Sequence, residues 1–140
     1  MVQAFRATCT IERPVDQVWR QLTDWNGAAG WLGVDRVSAE GPTAVGTELR
    51  FSTRGKERRS EIVALGPGRS VTLRSQQGSV TADYTYTVDA SGSGSRVTLV
   101  ADVRAGGVWA LAAPVIRAAI RRTDAGQLDA LDRELTARPL

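Results

Sequence analysis

A chain of 140 residues with 18 basic and 15 acidic side chains carries a net charge of only +3, with one cysteine and no histidine. The length suits one domain, expected over residues 1–140, with a core that stands without disulfides; Cys9 alone forms no internal bridge. The missing histidine excludes Ser-His-Asp and Cys-His catalysis, histidine acid–base chemistry and His-containing zinc sites. No metal or cofactor is therefore expected, and any chemistry falls to Tyr, Asp, Glu, Arg, Lys56 or Cys9.

Taken in order, residues 3–11 alternate, with Phe5, Ala7, Cys9 and Ile11 on one face and Arg6, Thr8 and Thr10 on the other, which predicts a half-buried strand. Pro14 breaks the pattern and suits the first position of a short helix, where its missing N–H costs nothing. Val15, Val18, Trp19 and Leu22 give that helix an apolar side, with its end near Asp24. Residues 25–32 hold Trp25, Gly27, Gly30 and Trp31 and read as a second short helix or a mobile turn. Glycine weakens a helix by about 1 kcal/mol relative to alanine, so this element is expected to be loosely held. Its two tryptophans leave two readings open: a cap on the core, or part of a binding site.

From Val34 onward the period is two. Residues 35–41 form a short strand closed by Gly41-Pro42. Residues 46–54 place Thr47, Leu49, Phe51 and Thr53 inward, and Gly55-Lys56 signals a tight turn. Residues 57–65 return with Ile62 and Ala64 inward; residues 69–77 carry Val71 and Leu73. In residues 80–89, Val80, Ala82, Tyr84, Tyr86 and Val88 face in, while Thr81, Asp83, Thr85, Thr87 and Asp89 face out. The Ser-Gly run 91–95 reads as a flexible hairpin loop, and residues 96–104 add Val97, Leu99, Ala101 and Val103 to the inner face.

Residues 107–135 alone show a long helical period: Trp109, Ala112, Ala113, Ile116, Ile120, Leu128, Leu131 and Leu135 share one side, and Leu111, Val115, Ala118 and Ala119 form a second apolar row. So wide an apolar face requires cover. Consecutive short turns imply an antiparallel meander with one buried face, and this helix is the element large enough to cover it. Pro114 removes one backbone bond and predicts a kink.

The segments Ile11-Glu-Arg-Pro-Val-Asp-Gln-Val-Trp19, Leu22-Thr-Asp-Trp25 with Trp31, Val45-Gly46-Thr47, residues 62–67, Gly94-Ser-Arg-Val-Thr98, and the late helix with Pro114 and Leu128-Asp-Ala-Leu131 carry a resemblance spanning nearly the whole chain. The chain resembles the START-like (SRPBCC) superfamily, near its polyketide cyclase/dehydrase and lipid-transport branch. That resemblance implies an α+β helix-grip (Bet v 1-like) fold: a curved seven-stranded antiparallel sheet around a long C-terminal helix, with two short helices between strands 1 and 2. Aromatic polyketide cyclases of this fold use an inward arginine; the register puts Ile62 in that place here, which argues against a copy of their mechanism.

A curved sheet gripping a helix leaves a cavity between them. Its expected lining is Trp31, Phe51, Ile62, Leu73, Tyr84, Tyr86, Leu99, Leu111, Val115 and Ala119, an apolar surface with two phenols suited to a hydrophobic or aromatic molecule bearing one or two oxygens. Tyr84 and Tyr86 read equally as core packing with satisfied hydroxyls. The weak catalytic candidates are Tyr84, Tyr86 and Arg58; Arg58 shares the inward phase of Ser60 and Ile62 but reads first as a solvated charge beside Lys56 and Arg59. Asp83 and Asp102 fall on outward phases. Asp129 and Asp132 lack histidine partners for a metal site, and Cys9 reads as an inert core thiol.

Three functions follow. The first is binding or carriage of a lipid- or polyketide-like small molecule. The alternative is a polyketide cyclase/dehydratase-type enzyme that acts by positioning, with Tyr or Arg proton donors and neither metal nor histidine. The third, a nucleic-acid- or partner-binding regulator using residues 50–59 with Arg117, Arg121 and Arg122, is disfavoured because Glu48, Glu57 and Glu61 alternate with the basic side chains. No apolar run nears the roughly 20 residues of a bilayer span. The expected protein is cytoplasmic, a monomer or homodimer, with a hydrophobic small molecule as partner, no nucleic acid and no stable membrane insertion.

Overall fold

The computed structural model describes residues 2–32, 34–105, 114, 118 and 126–137. The first strand, β1 (Val2–Ile11), is followed by helix α1 (Val15–Leu22), a 3₁₀ turn (Trp25–Gly27) and helix α2 (Ala29–Leu32). Six strands come next: β2 (Arg36–Ala39), β3 (Glu48–Thr53), β4 (Lys56–Gly66), β5 (Ser70–Gln77), β6 (Val80–Ser91) and β7 (Gly94–Ala105), and then helix α3 (Gln127–Ala137). They form one curved, antiparallel seven-stranded sheet in the order β1-β7-β6-β5-β4-β3-β2.

Strands β2 to β7 are a meander, because every connection between them is short enough to return the chain beside itself. At β3–β4 the turn is Arg54-Gly55, one residue earlier than the glycine signal suggested, with Thr53 paired to Lys56. Both turn residues have positive φ, 51° and 77°, the two-residue geometry whose twist matches the flanking strands. Arg54 takes a conformation that favours glycine or asparagine, and its backbone N–H donates to Asp35 Oδ2 at 3.0 Å. The Ser-Gly run proves tight rather than loose: Ser91 pairs with Gly94 and Ala90 with Ser95, leaving only Gly92 and Ser93 to turn.

The sheet's remaining edge is filled from the far end of the chain. β1 pairs along β7 from Val2–Val103 to Ile11–Ser95. Gly94 sits where a Cβ would lie 2.5 Å from the Ile11 carbonyl oxygen, so a glycine is needed for β7 to start against the end of β1. Ser95 Oγ donates to the Arg13 carbonyl at 2.7 Å and fixes the corner into α1. Pro14 is the cap before α1 rather than its first residue, with extended φ −61° and ψ 153°. Thr23 closes the other end, its N–H and Oγ1 both donating to the Trp19 carbonyl.

The expected second helix divides into the 3₁₀ turn and α2. Both of its tryptophans are buried; packing against the core overrides the weak intrinsic propensity of the glycines. α2 packs on α3, α1 on β6 and β7, and α3 on β1. Of the long helix expected over residues 107–135, Leu128, Leu131 and Leu135 are buried as their spacing demands, and Pro114 and Ala118 are helical and exposed. Trp109, Leu111, Ala112, Ala113, Val115, Ile116, Ala119 and Ile120 lie outside the described residues.

Two inside–outside expectations are corrected. Ala64 is exposed, because the β4–β5 register shifts between Ile62, opposite Leu73, and Ala64, opposite Thr72. The extra residue of this bulge changes the phase, and Leu65, opposite Val71, packs on the core instead. Thr81, expected to face out, is buried, on a strand paired on both sides with Gln76 and Arg104 opposite it.

Candidate functional site

β6 supplies the middle of the inner face, and its period of two puts Ala82, Tyr84, Tyr86 and Val88 on one side. Tyr86 lies between Val71 of β5 and Leu99 of β7, and all three are buried. The ring of Trp31, carried in by α2, meets Tyr86 edge to face, with centroids 5.7 Å apart at 86°. This is the preferred aromatic geometry. The Tyr86 hydroxyl donates to Gln127 Oε1 of α3 at 2.7 Å, a bond buried at both ends. One strand residue thus ties sheet, α2 and α3 together.

One step along β6 the surroundings change. Tyr84, between Leu73 and Ala101, is only half-buried. Next on the same phase of β5 comes Ser75, opposite Ala82, and Ser75 Oγ shares a 2.5 Å hydrogen bond with Ser60 Oγ of β4. Ser60 is buried and stands opposite Leu49 of β3. Phe51, two residues on from Leu49, is half-buried, and its partner Arg58 is exposed at the rim.

The ten expected lining residues therefore separate into groups. Trp31, Ile62, Leu73, Tyr86 and Leu99 are in the buried core. Phe51 and Tyr84 are half-buried against it. Leu111, Val115 and Ala119 fall outside the described residues. Among the catalytic candidates, Tyr86 is buried and bonded to Gln127, Tyr84 is half-buried and Arg58 is exposed. Sequence reasoning had placed Ser60 inward but missed its bond to Ser75, whose phase with Val71 and Leu73 would have revealed it. It also missed Gln127 and Gln21, buried polar residues of α3 and α1. Gln127 directly precedes the apolar stripe of Leu128, Leu131 and Leu135 and carries no signal of its own.

Charge is kept off the inner side. Among the described residues, the buried polar side chains are Gln21, Ser60, Thr81, Ser95 and Gln127, all neutral. Arg74 and Asp83, on the outer phase, form a two-pronged ion pair at 2.8 and 2.9 Å. Asp83, expected as a plain surface residue, is half-buried, and Arg74 offsets the like charge of Asp102 directly across from it. The bond to Asp83 and its charge push the Arg74 pKa up. Arg50 similarly meets Glu40 at 2.7 Å. The Cys9 thiol is also pushed up, first by burial and then by the charges of Asp132 and Asp129 on α3. It is a protonated thiol at neutral pH and not a ready nucleophile. No group of three or more His, Cys, Asp or Glu among the described residues is arranged to hold a metal ion. An open cleft of about 630 Å³ lies elsewhere, outside α1, between Val15, Asp16, Trp19, Arg20 and Thr23 and Gly68 of the β4–β5 turn.

A curved antiparallel sheet with its apolar face turned to a C-terminal helix, and short helices closing one end, is the helix-grip architecture of the START-like (SRPBCC) superfamily. Within it, the chain belongs to the family described as polyketide cyclase / dehydrase and lipid transport, whose model matches residues 2–136. No curated protein matches the chain in sequence. Solved structures match closely in fold. Protein MLL2253 of Mesorhizobium loti aligns with a TM-score of 0.76 at 17% identity, covering 97% of this chain and 98% of its own. Ara h 8.0201 aligns with a TM-score of 0.70 at 16% identity, covering 96% of this chain and 97% of its own. DynU16, from the dynemicin biosynthetic locus, aligns at 0.68 and 18% identity over 94% of this chain and 46% of its own. Among the described residues, no helix is long and apolar enough to cross a membrane.

Proposed function

We propose that the protein binds a hydrophobic or aromatic small molecule, lipid- or polyketide-like, between the concave face of the sheet and the C-terminal helix. The observation that carries this reading is the pair of half-buried aromatics, Phe51 and Tyr84, set beside the Ser60–Ser75 hydroxyls on an otherwise apolar face. Two hydroxyls joined by one hydrogen bond retain one further proton to donate. An apolar ligand lies against the rings, and one ligand oxygen meets the hydroxyls and Tyr84.

Binding is preferred to catalysis because the inner phases of the described strands carry hydroxyls and rings but no carboxylate to act as a base. The cyclase or dehydratase alternative rests on the family description and would draw its proton donor from Tyr84 or Arg58. Titration with the neutral fluorophore N-phenyl-1-naphthylamine tests the preferred reading. Wild type is expected to bind it saturably, one molecule per chain, and Ser75→Phe, which puts a bulky ring in place of the Ser75 hydroxyl, to lose that binding while still melting cooperatively. Absence of saturable binding by wild type, or unchanged binding by a folded Ser75→Phe, overturns it.

A further inference from the structure

The closed end of the concave face contains two polar groups that packing has not satisfied. Trp31 is 1% exposed and Gln21 4% exposed, and neither Trp31 Nε1 nor Gln21 Nε2 has a hydrogen-bond partner among the described residues. Leaving a buried donor unmade forfeits its full desolvation cost, which is why such groups almost always have a partner. The Trp31 indole is not stranded at the periphery. Its ring lies 5.7 Å from that of Tyr86, whose hydroxyl is already directed to Gln127. The indole N–H is therefore a donor at the end of the face where the obvious phenol is engaged.

Building on the proposed binding function, we propose that the Trp31 indole N–H is the deep recognition point of the site and donates to a neutral carbonyl oxygen, as in an aromatic ketone or quinone. Its chemistry narrows the ligand. An indole nitrogen only donates, so the ligand group must accept. Every buried polar side chain among the described residues is neutral, so a carboxylate there would be desolvated without a counter-charge. Gln21, on the α1 face turned to β6 and α3, is a second amide donor in the same helical layer.

The test uses three probes of one shape: fluorene, 9-fluorenone and fluorene-9-carboxylate, titrated against wild type and Trp31→Phe, a substitution that keeps an aromatic edge against Tyr86. In wild type the ketone-to-hydrocarbon affinity ratio is expected to exceed that in Trp31→Phe by roughly threefold to tenfold, the worth of one neutral hydrogen bond. The carboxylate is expected to bind more weakly than either. In ¹⁵N-labelled wild type, the Trp31 indole N–H resonance, assigned from its through-space contacts with the Tyr86 ring, should move downfield with fluorenone and much less with fluorene. This second readout decides the matter even where Trp31→Phe fails to fold. Fluorene and fluorenone binding with an unmoved Trp31 N–H, or equal affinity ratios in both proteins, overturns the inference and leaves an internal water as the indole's partner while the binding site stands. Failure of both neutral probes to bind wild type overturns the inference together with the binding function beneath it.

Discussion

Tyr84 and Tyr86 share a strand, a face and a residue type, yet they belong to different parts of the molecule. Tyr86 is covered by Trp31, bonded to Gln127 and flanked by Val71 and Leu99. Tyr84 is half-buried, next to a hydroxyl pair and in line with half-buried Phe51. The alternation that turns both inward says nothing about which becomes structure. What separates them is the contact that α2 and α3, from opposite ends of the chain, make with Tyr86 through Trp31 and Gln127. Helical partners thus decide which of two like strand residues becomes structural.

The largest test of this contrast is core truncation. Leu99→Ala, at a fully buried position beside Tyr86, is expected to cost about 2–5 kcal/mol in urea unfolding. Phe51→Leu, at a half-buried position, should cost less than about 1.5 kcal/mol; equal losses would erase the distinction between the two sets of inner residues. Smaller but sharper is the comparison of the tyrosines. Tyr86→Phe removes the buried bond that Gln127 accepts and should lower stability by about 1–3 kcal/mol, against no more than about 1 kcal/mol for Tyr84→Phe. A reversed order in thermal or urea melts would mean that the two hydroxyls have been given each other's roles.

The smallest effect is one of pH. The folded Cys9 thiol holds its proton more tightly than its ordinary value of 9.0, through burial and the Asp132 and Asp129 charges. Between the ordinary and the raised value the folded state binds more protons than the unfolded one, so stability falls as pH rises through that window and is unaffected below it. Urea midpoints taken at about pH 8 and about pH 10 should drop less in Cys9→Ala than in wild type. Identical drops would remove α3 as an electrostatic neighbour of β1.

The succession of elements, most inward phases of β3 to β7 and the apolar side of α1 were legible because each rests on a local period or a turn signal. Leu49, Ile62, Leu73, Leu99 and Val103 are buried where alternation put them. Reading failed where one residue broke the period, as at the β4 bulge that exposes Ala64 and turns Leu65 in. It failed again where a tertiary partner decided the outcome. Trp25 and Trp31 sit on elements too short and glycine-rich to fold alone, and only contact with the core makes them rigid neighbours of the sheet. The site was half legible for the same reason. Phase identified Phe51 and Tyr84 and placed Ser60 inward, but Ser75 went unread although its phase was available, and the bond from Tyr86 to Gln127 joins residues 41 apart in the chain, which no local pattern encodes.

The pairing of β1 with β7 also has a kinetic side. Strands β2 to β7 each find a partner across a turn of a few residues, so their closure entropy is small and the meander can grow as it is synthesised. β1 leaves the ribosome before any of them but must wait for β7, its partner from Val103 to Ser95. Until then its Phe5 and Ile11 have no sheet to pack on, and one edge of the meander stays open to other strands. Docking of β1, sealed by the Gly94 contact and the Ser95–Arg13 bond, is the step that covers β7 and completes the sheet, with β1 as its edge strand. The interval between the two syntheses is the period in which the chain is most exposed to misassociation.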